Sequence, residues 1–279
     1  MSGLLDIAAV ARSWQSGTVQ ISGGHLVFHR TGGPGPALVL SHGLTDNGLC
    51  WSRVAAALAS DFDIVMLDAR GHGASSRMAD GVPNDPGQDI AEAIDGLGLE
   101  SPLVMGHSVG ARATADYANA NPGRISKLVL EDPPLLPIAA RSEALLRREK
   151  FRRQVEEFQS LSDAGIVAMG KRLSPGWHED EFPAWALGKR QVDPESMPDY
   201  PAPWQDSLAG ISVPTLLIYG ESVRGGLVTP DIAAETMRIN PQIKALQIKG
   251  AGHNIRRENF HDFLYAVREF LSAGADHDH

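Results

Sequence analysis

Eight short apolar runs rich in β-forming residues recur along the chain, at 18–21, 26–29, 37–40, 64–67, 103–105, 127–130, 215–219 and 245–248. Most are too short for helices and are bounded by Gly, Pro or Asp, so they read as strands. The first two flank Gly23 and Gly24, a two-residue hairpin signal, and predict an opening antiparallel pair. From residue 37 onward strands alternate with helix-length segments at 51–59, 86–96, 108–119, 229–239 and 257–271. That alternation demands crossover connections, hence an α/β fold: a mostly parallel twisted sheet of about eight strands with helices on both faces. Runs such as 38–40 and 64–67 are continuously apolar, as strands buried on both faces are. Sheets of this kind collect their chemistry at the carboxyl ends of the strands.

The alternation fails once. Between Leu130 and Val213 no strand is readable; a charge-rich segment at 141–158 is followed by a stretch rich in Pro and Trp. The reading is a helical cap, or lid, at 134–208, inserted into a core made of 1–133 and 209–279. Trp177, Trp185 and Trp204 are expected to line a substrate pocket beneath it. The alternating charges of 141–157 read as a solvated helix face.

Charge and cysteine usage narrow the partners. Thirty-four Asp and Glu against 25 Lys and Arg give a net charge of −9, the wrong sign for a nucleic-acid or anionic-membrane binder. The single Cys50 forms no internal disulfide and is read as a small packed side chain, which fits a reducing compartment. The apolar stretch at 4–10 is broken by Asp6 and has no basic start, so no signal peptide is read. No apolar run approaches the ~20 residues of a membrane span. The expectation is a soluble cytoplasmic protein, monomer or homodimer, with a small-molecule partner. No cofactor or metal is expected: GGPGP at 32–36 has prolines where a dinucleotide-binding helix would begin, and HEDE (178–181) and DHDH (276–279) lack a scaffold to fix coordination. The tail at 275–279 is expected to be disordered.

The chemistry is concentrated in three loops. The run at 103–105 leads into Gly106-His107-Ser108-Val109-Gly110 and then a helix-prone segment, the strand–turn–helix context that gives G-x-S-x-G its meaning. Such a turn strains the serine backbone and lifts its Oγ above the sheet, and a Cβ at Gly106 or Gly110 would collide with a neighbouring element. After the strand at 37–40, Ser41-His42-Gly43-Leu44-Thr45 folds back toward that turn. Acyl transfer needs two donors for a developing oxyanion, and these are assigned to the amides of Leu44 and Val109. His42 is read as bracing this loop; His42, Thr45 and His107 are expected to border the pocket. The third loop is Ala251-Gly252-His253-Asn254, which presents an imidazole at a strand's carboxyl end before the last helix. Ser108 is therefore the expected nucleophile and His253 the general base and acid.

These segments resemble the α/β-hydrolases, and the resemblance spans nearly the whole chain. SHGLTDN (41–47) is similar to the family's oxyanion loop, DARGHGAS (68–75) to the loop after its fourth strand, GHSVG (106–110) to its nucleophile elbow and GAGHN (250–254) to its histidine loop. The order Ser then His agrees as well. Within the family the chain looks most like cofactor-free bacterial esterases and lactonases with a helical cap. It departs from the family at the acid: G-x-x-D is expected after residue 219, and Gly225 stands where the aspartate should be. Some relatives take the acid from the preceding strand end. Zearalenone lactonases have a Glu two residues before a Pro there, as Glu131 precedes Pro133 here. The resemblance therefore implies Glu131 as the acid, with Asp132 and Glu221 as alternatives. Asp68 and Arg70 are read as pinning their own loop.

The implied function is a serine hydrolase of small carboxylic esters or lactones. Two other readings stand beside it: carbon–carbon bond hydrolysis by the same residues, and a ligand receptor built on the fold with little turnover. A Ser rather than a carboxylate at position 108 argues against epoxide and halide chemistry.

Overall fold

The computed structural model describes residues 11–273. The readings made for 4–10 and for the tail, including the DHDH motif, lie outside the described residues. Gln15–Ile21 (β1) and Gly24–Arg30 (β2) pair antiparallel with Ile21 opposite Gly24. The tight turn is thus Ser22-Gly23 rather than the glycine pair, and Gly23 takes a φ of 75° that glycine adopts without steric cost. Ala37–Ser41 (β3), Asp63–Leu67 (β4), Leu103–His107 (β5), Lys127–Glu131 (β6), Thr215–Tyr219 (β7) and Ile243–Gln247 (β8) complete one eight-stranded sheet. Its order is β1-β2-β4-β3-β5-β6-β7-β8, antiparallel only where β2 meets β1 and β4. Every apolar run read from the sequence is a strand.

Successive residues of the central strands face opposite layers. Val39, Val65, Val104, Leu128 and Leu217 pack with Pro86–Gly96 (α2), Val109–Ala120 (α3) and Pro230–Ile239 (α8). Leu38, Leu40, Ile64, Met66, Met105 and Ile218 pack with Ser52–Leu58 (α1) and Phe260–Ser272 (α10). Both layers are dry, which is why these strands show no polar alternation. Among the described residues no helix is long and apolar enough to cross a membrane.

The chain between β6 and β7 carries Arg141–Ser160 (α4), Asp163–Leu173 (α5), Glu181–Gln191 (α6) and Asp206–Ala209 (α7). It has small cores of its own, one around Phe151, Val155 and Val192, another around Ile166, Trp185 and Ala186. Trp204 and Leu208 join the main core, and an ionic cluster fastens the rest of the insertion to the loops above the sheet. Asp46, in the loop after β3, is buried and meets Lys189 of α6 (Nζ–Oδ1 3.1 Å), Arg256 (Nη2–Oδ2 3.1 Å) and Arg257 (Nη2–Oδ2 3.0 Å). Both arginines lie in the short helix Ile255–Glu258 (α9). Arg257 continues to Glu181 at the start of α6 (3.2 Å), and Arg256 reaches Glu131 at the end of β6 (3.1 Å) while stacking on Trp51. Burial alone would raise the Asp46 carboxyl, but Arg257, Lys189 and Arg256 hold it well below the usual carboxylate range.

Asp46→Asn leaves three buried cations facing a neutral amide and is expected to cost about 3–5 kcal/mol, measured by urea unfolding. Because the folded carboxyl is depressed, its contribution is fully present above the ordinary value of about 3.9 and is lost as pH falls through the depressed one. The stability gap between wild type and variant should hold from neutral pH to mild acid and close only on strong acidification. A gap already closing near neutrality would contradict the assignment.

Candidate active site

β5 and β6 end in register, His107 opposite Glu131, and the next residue on each strand takes a left-handed backbone. Ser108 has φ 54° and ψ −124°, and Asp132 has φ 43°. The elbow around Ser108 is possible because both flanking positions lack a side chain. A Cβ on Gly106 would lie 2.4 Å from the Gly110 carbonyl oxygen, and one on Gly110 would lie 2.4 Å from that of His42. The Ser108 amide donates to the Glu131 carbonyl at 2.9 Å, which fixes the elbow to the neighbouring strand end.

Three side chains from three loops form one hydrogen-bonded line. Ser108 Oγ lies 3.0 Å from His253 Nε2, and His253 Nδ1 lies 2.6 Å from Asp132 Oδ2. Asp132 is fully buried and also accepts the amides of Leu227 (2.8 Å) and Val228 (3.0 Å). With its oxygens so engaged it acts as an acceptor, so Nδ1 carries the proton and Nε2 is left to accept from the Ser108 hydroxyl. The loop in which the family's common aspartate is missing thus supplies the amides that hold this carboxylate.

The carboxylate reaching His253 is Asp132, which corrects the expectation of Glu131. Glu131 is the last residue of β6, and its carboxyl accepts the Arg256 amide (2.9 Å) and Nη1 (3.1 Å) instead. Burial pushes that carboxyl up, against the pull of Arg256. The left-handed turn at 132 redirects the chain after the strand and carries the shorter side chain to the imidazole. Glu221 does not reach His253 either; it pairs with Arg224 (2.9 Å) and accepts the Gly250 amide (3.1 Å). The signal in the sequence was the Asp-Pro step at 132–133, which reads equally well as a simple turn.

Leu44, Ser108 and Val109 share the wall of a cavity of about 520 Å³. Neither the Leu44 nor the Val109 amide has an acceptor among the described residues. Leu44 is held from behind: His72 lies with Nε2 2.6 Å from its carbonyl and Nδ1 3.0 Å from that of Arg70, and burial pushes the imidazole down to about 4. His42 bridges the Gly43 carbonyl (2.8 Å) and the Ala69 amide (3.0 Å), and it borders a smaller cavity of about 40 Å³ that shares Leu44, Val109 and Pro198 with the first. Asp68 accepts the amides of Gly48 and Ala74, and Arg70 forms a fork with Asp89, so both pin loops.

The remaining pocket expectations are corrected. His107 is buried behind His253, donating Nε2–H to its carbonyl at 3.1 Å with the rings 4.8 Å apart. Thr45 gives its carbonyl to Lys189 Nζ (2.9 Å). Trp177 stacks on Phe182, Trp185 packs against Phe158 and Trp177, and Trp204 joins the main core. None of the three borders the cavity: Trp177 and Trp185 fill the insertion's own core, and Trp204 fills the core beneath the sheet. The cavity wall comes instead from the irregular stretches at both ends of the insertion, among them Pro134, Leu136, Ile138 and Tyr200, and from Arg147 and Arg148 of α4. Sequence reading missed these arginines, and it missed the Asp46 cluster. Cys50 is buried, with its thiol pushed up to about 12, and so is inert as a nucleophile. Among the described residues no group of three or more His, Cys, Asp or Glu converges as a metal site.

The arrangement can move a proton from a serine hydroxyl to an imidazole backed by a buried carboxylate, beside two unsatisfied amides, which is the constellation of acyl transfer. Comparison with known proteins agrees with the fold. N-formylmaleamate deformylase of Pseudomonas putida is 30% identical over 272 residues, covering 91% of this chain and 96% of its own. 3-Oxoadipate enol-lactonase 1 of Acinetobacter baylyi is 24% identical, covering 98% and 99%. The crystal structure of E-2-(acetamidomethylene)succinate hydrolase superposes with a TM-score of 0.76 at 22% identity, over 93% of this chain and all of the other. Residues 36–259 match the family model of the α/β hydrolase fold, and with a 30% identical relative aligned nearly end to end, the chain belongs to that family.

Proposed function

We propose that the protein is a serine hydrolase cleaving small carboxylic esters or lactones through an acyl-enzyme on Ser108. The observation that carries this reading is the line Ser108–His253–Asp132, opening on a cavity whose wall includes Leu44 and Val109. His253 Nε2 takes the Ser108 proton as Oγ attacks the substrate carbonyl carbon. The oxyanion is received by the two amides, and Asp132 stabilises the imidazolium by accepting from Nδ1–H. The tetrahedral adduct collapses as His253 Nε2–H gives its proton to the departing alkoxide. Water then enters, loses a proton to His253 and attacks the acyl carbon, so that a carboxylic acid leaves and Ser108 is restored.

The same steps accept a nitrogen leaving group, since His253 can protonate a departing amide nitrogen as readily as an alkoxide. The 30% identical relative named as a deformylase favours this second reading for N-acyl substrates.

Hydrolysis of 4-nitrophenyl acetate and butyrate at pH 7.5 tests the proposal. Ser108→Ala and His253→Ala are each expected to lower turnover by about 10⁶-fold, and Asp132→Asn by about 10⁴-fold. Glu131→Gln breaks a buried pair with Arg256; it is expected to lower the melting temperature while keeping turnover within about tenfold of wild type. Ser108→Ala with wild-type rates would sink the mechanism. Glu131→Gln as damaging to turnover as Asp132→Asn, in a folded protein, would overturn the assignment of the acid.

A further inference from the structure

The cavity above Ser108 has one charged wall. α4 buries Phe151, Val155 and Phe158 at alternating four- and three-residue steps. Carried back toward the start of the helix, that stripe passes through Arg148 and Ala144. Ala144, Arg147 and Arg148 stand at i, i+3 and i+4, one face of the helix, and all three border the cavity that contains Ser108. A stripe that served packing alone would hold an apolar side chain at 148.

Asp199 is the one acid on the same wall among the described residues, and it meets Arg148 at 2.6 Å. Arg147 pairs with Glu143, one turn back on its own helix and outside the cavity wall. Each guanidinium thus has one carboxylate partner, and among the described residues Arg147 and Arg148 are the cations that border the cavity. Both pairs are partly solvent-exposed, with side-chain exposures from 32% to 66%. Ion pairs in such settings contribute little to stability and exchange partners readily. The guanidinium fork matches a carboxylate in a way that a lysine ammonium does not.

We propose that Arg147 and Arg148 receive a free carboxylate carried by the substrate, so that the protein acts on small acyl compounds that are themselves anions. This rests on the serine-hydrolase reading of the same site and adds the substrate's charge. The carboxylate binds at the α4 wall, its apolar connecting atoms lie along Leu136 and Ile138, and the scissile carbonyl faces Ser108.

Two esters with the same acetyl group, 4-acetoxybenzoate and its methyl ester, separate charge from reactivity. The Arg147→Gln/Arg148→Gln double variant is expected to lose at least tenfold in kcat/KM for 4-acetoxybenzoate, mostly through KM, while the methyl ester stays within about twofold as the control for folding. Equal losses on both esters, or no loss on either, would overturn the carboxylate site. Calorimetric binding of 4-acetoxybenzoate to Ser108→Ala, with and without the two arginines, reads the site without turnover. Binding weakened tenfold or more by the double substitution supports it, and unchanged binding rejects it. Should wild type and Ser108→Ala prove equally active on the methyl ester, the hydrolase reading fails and the binding result still decides the site.

Discussion

One buried carboxylate ties the working parts of this molecule together. Asp46 follows the loop that carries Leu44, and its cationic partners come from α9, directly after His253, and from α6 of the insertion. Desolvating four charges is expensive, and hydrophobic replacements would stabilise the fold as well or better. What a buried ion cluster adds is directional: each cation is satisfied in one geometry, so the loop, the histidine and the covering helix are registered to one another. Glu131 extends the cluster into the sheet through Arg256, so the end of β6 is in the same register.

The second constraint is backbone strain placed side by side. Ser108 and Asp132 both hold positive φ, each one residue beyond a paired strand end. Residues in such regions cost about 1–3 kcal/mol each unless the surroundings over-determine them. Here they do. The Ser108 amide is taken by the Glu131 carbonyl and the Asp132 amide by that of Ile218, so each turn is hydrogen-bonded to the next strand over. The sheet absorbs the strain, and in exchange two side chains leave adjacent strands toward the same imidazole.

The sequence made the sheet legible because continuous apolar runs bounded by turn residues have few other interpretations. It made Ser108 and His253 legible because each sits in a glycine-flanked loop after a strand. It did not separate Glu131 from Asp132. Neighbouring residues at a strand end diverge in direction, and the positive φ that decides between them depends on hydrogen bonds from strands distant in sequence. The tryptophans misled for a different reason. Aromatic side chains suit a pocket and a small core equally, and a short helical insertion has few other large apolar residues to fill its interior. The arginines of α4 were hidden by their neighbours: Glu149, Arg152 and Arg153 do form solvated pairs, so the alternating charge pattern described part of the helix correctly and concealed the face that turns inward.

The origin of the cavity wall bears on how such a site changes. Its irregular stretches, at 134–139 and again at 197–201, are rich in proline, which fixes φ and needs no partner for an amide hydrogen. The small cores of the insertion are centred on α4, α5 and α6, and the one around Phe151 meets the cavity wall at Leu44 and Met197. The Asp46 cluster anchors α6 through residues outside that wall. Substitutions on the proline-rich stretches can change the shape of the cavity while the Ser108–His253–Asp132 line keeps its contacts.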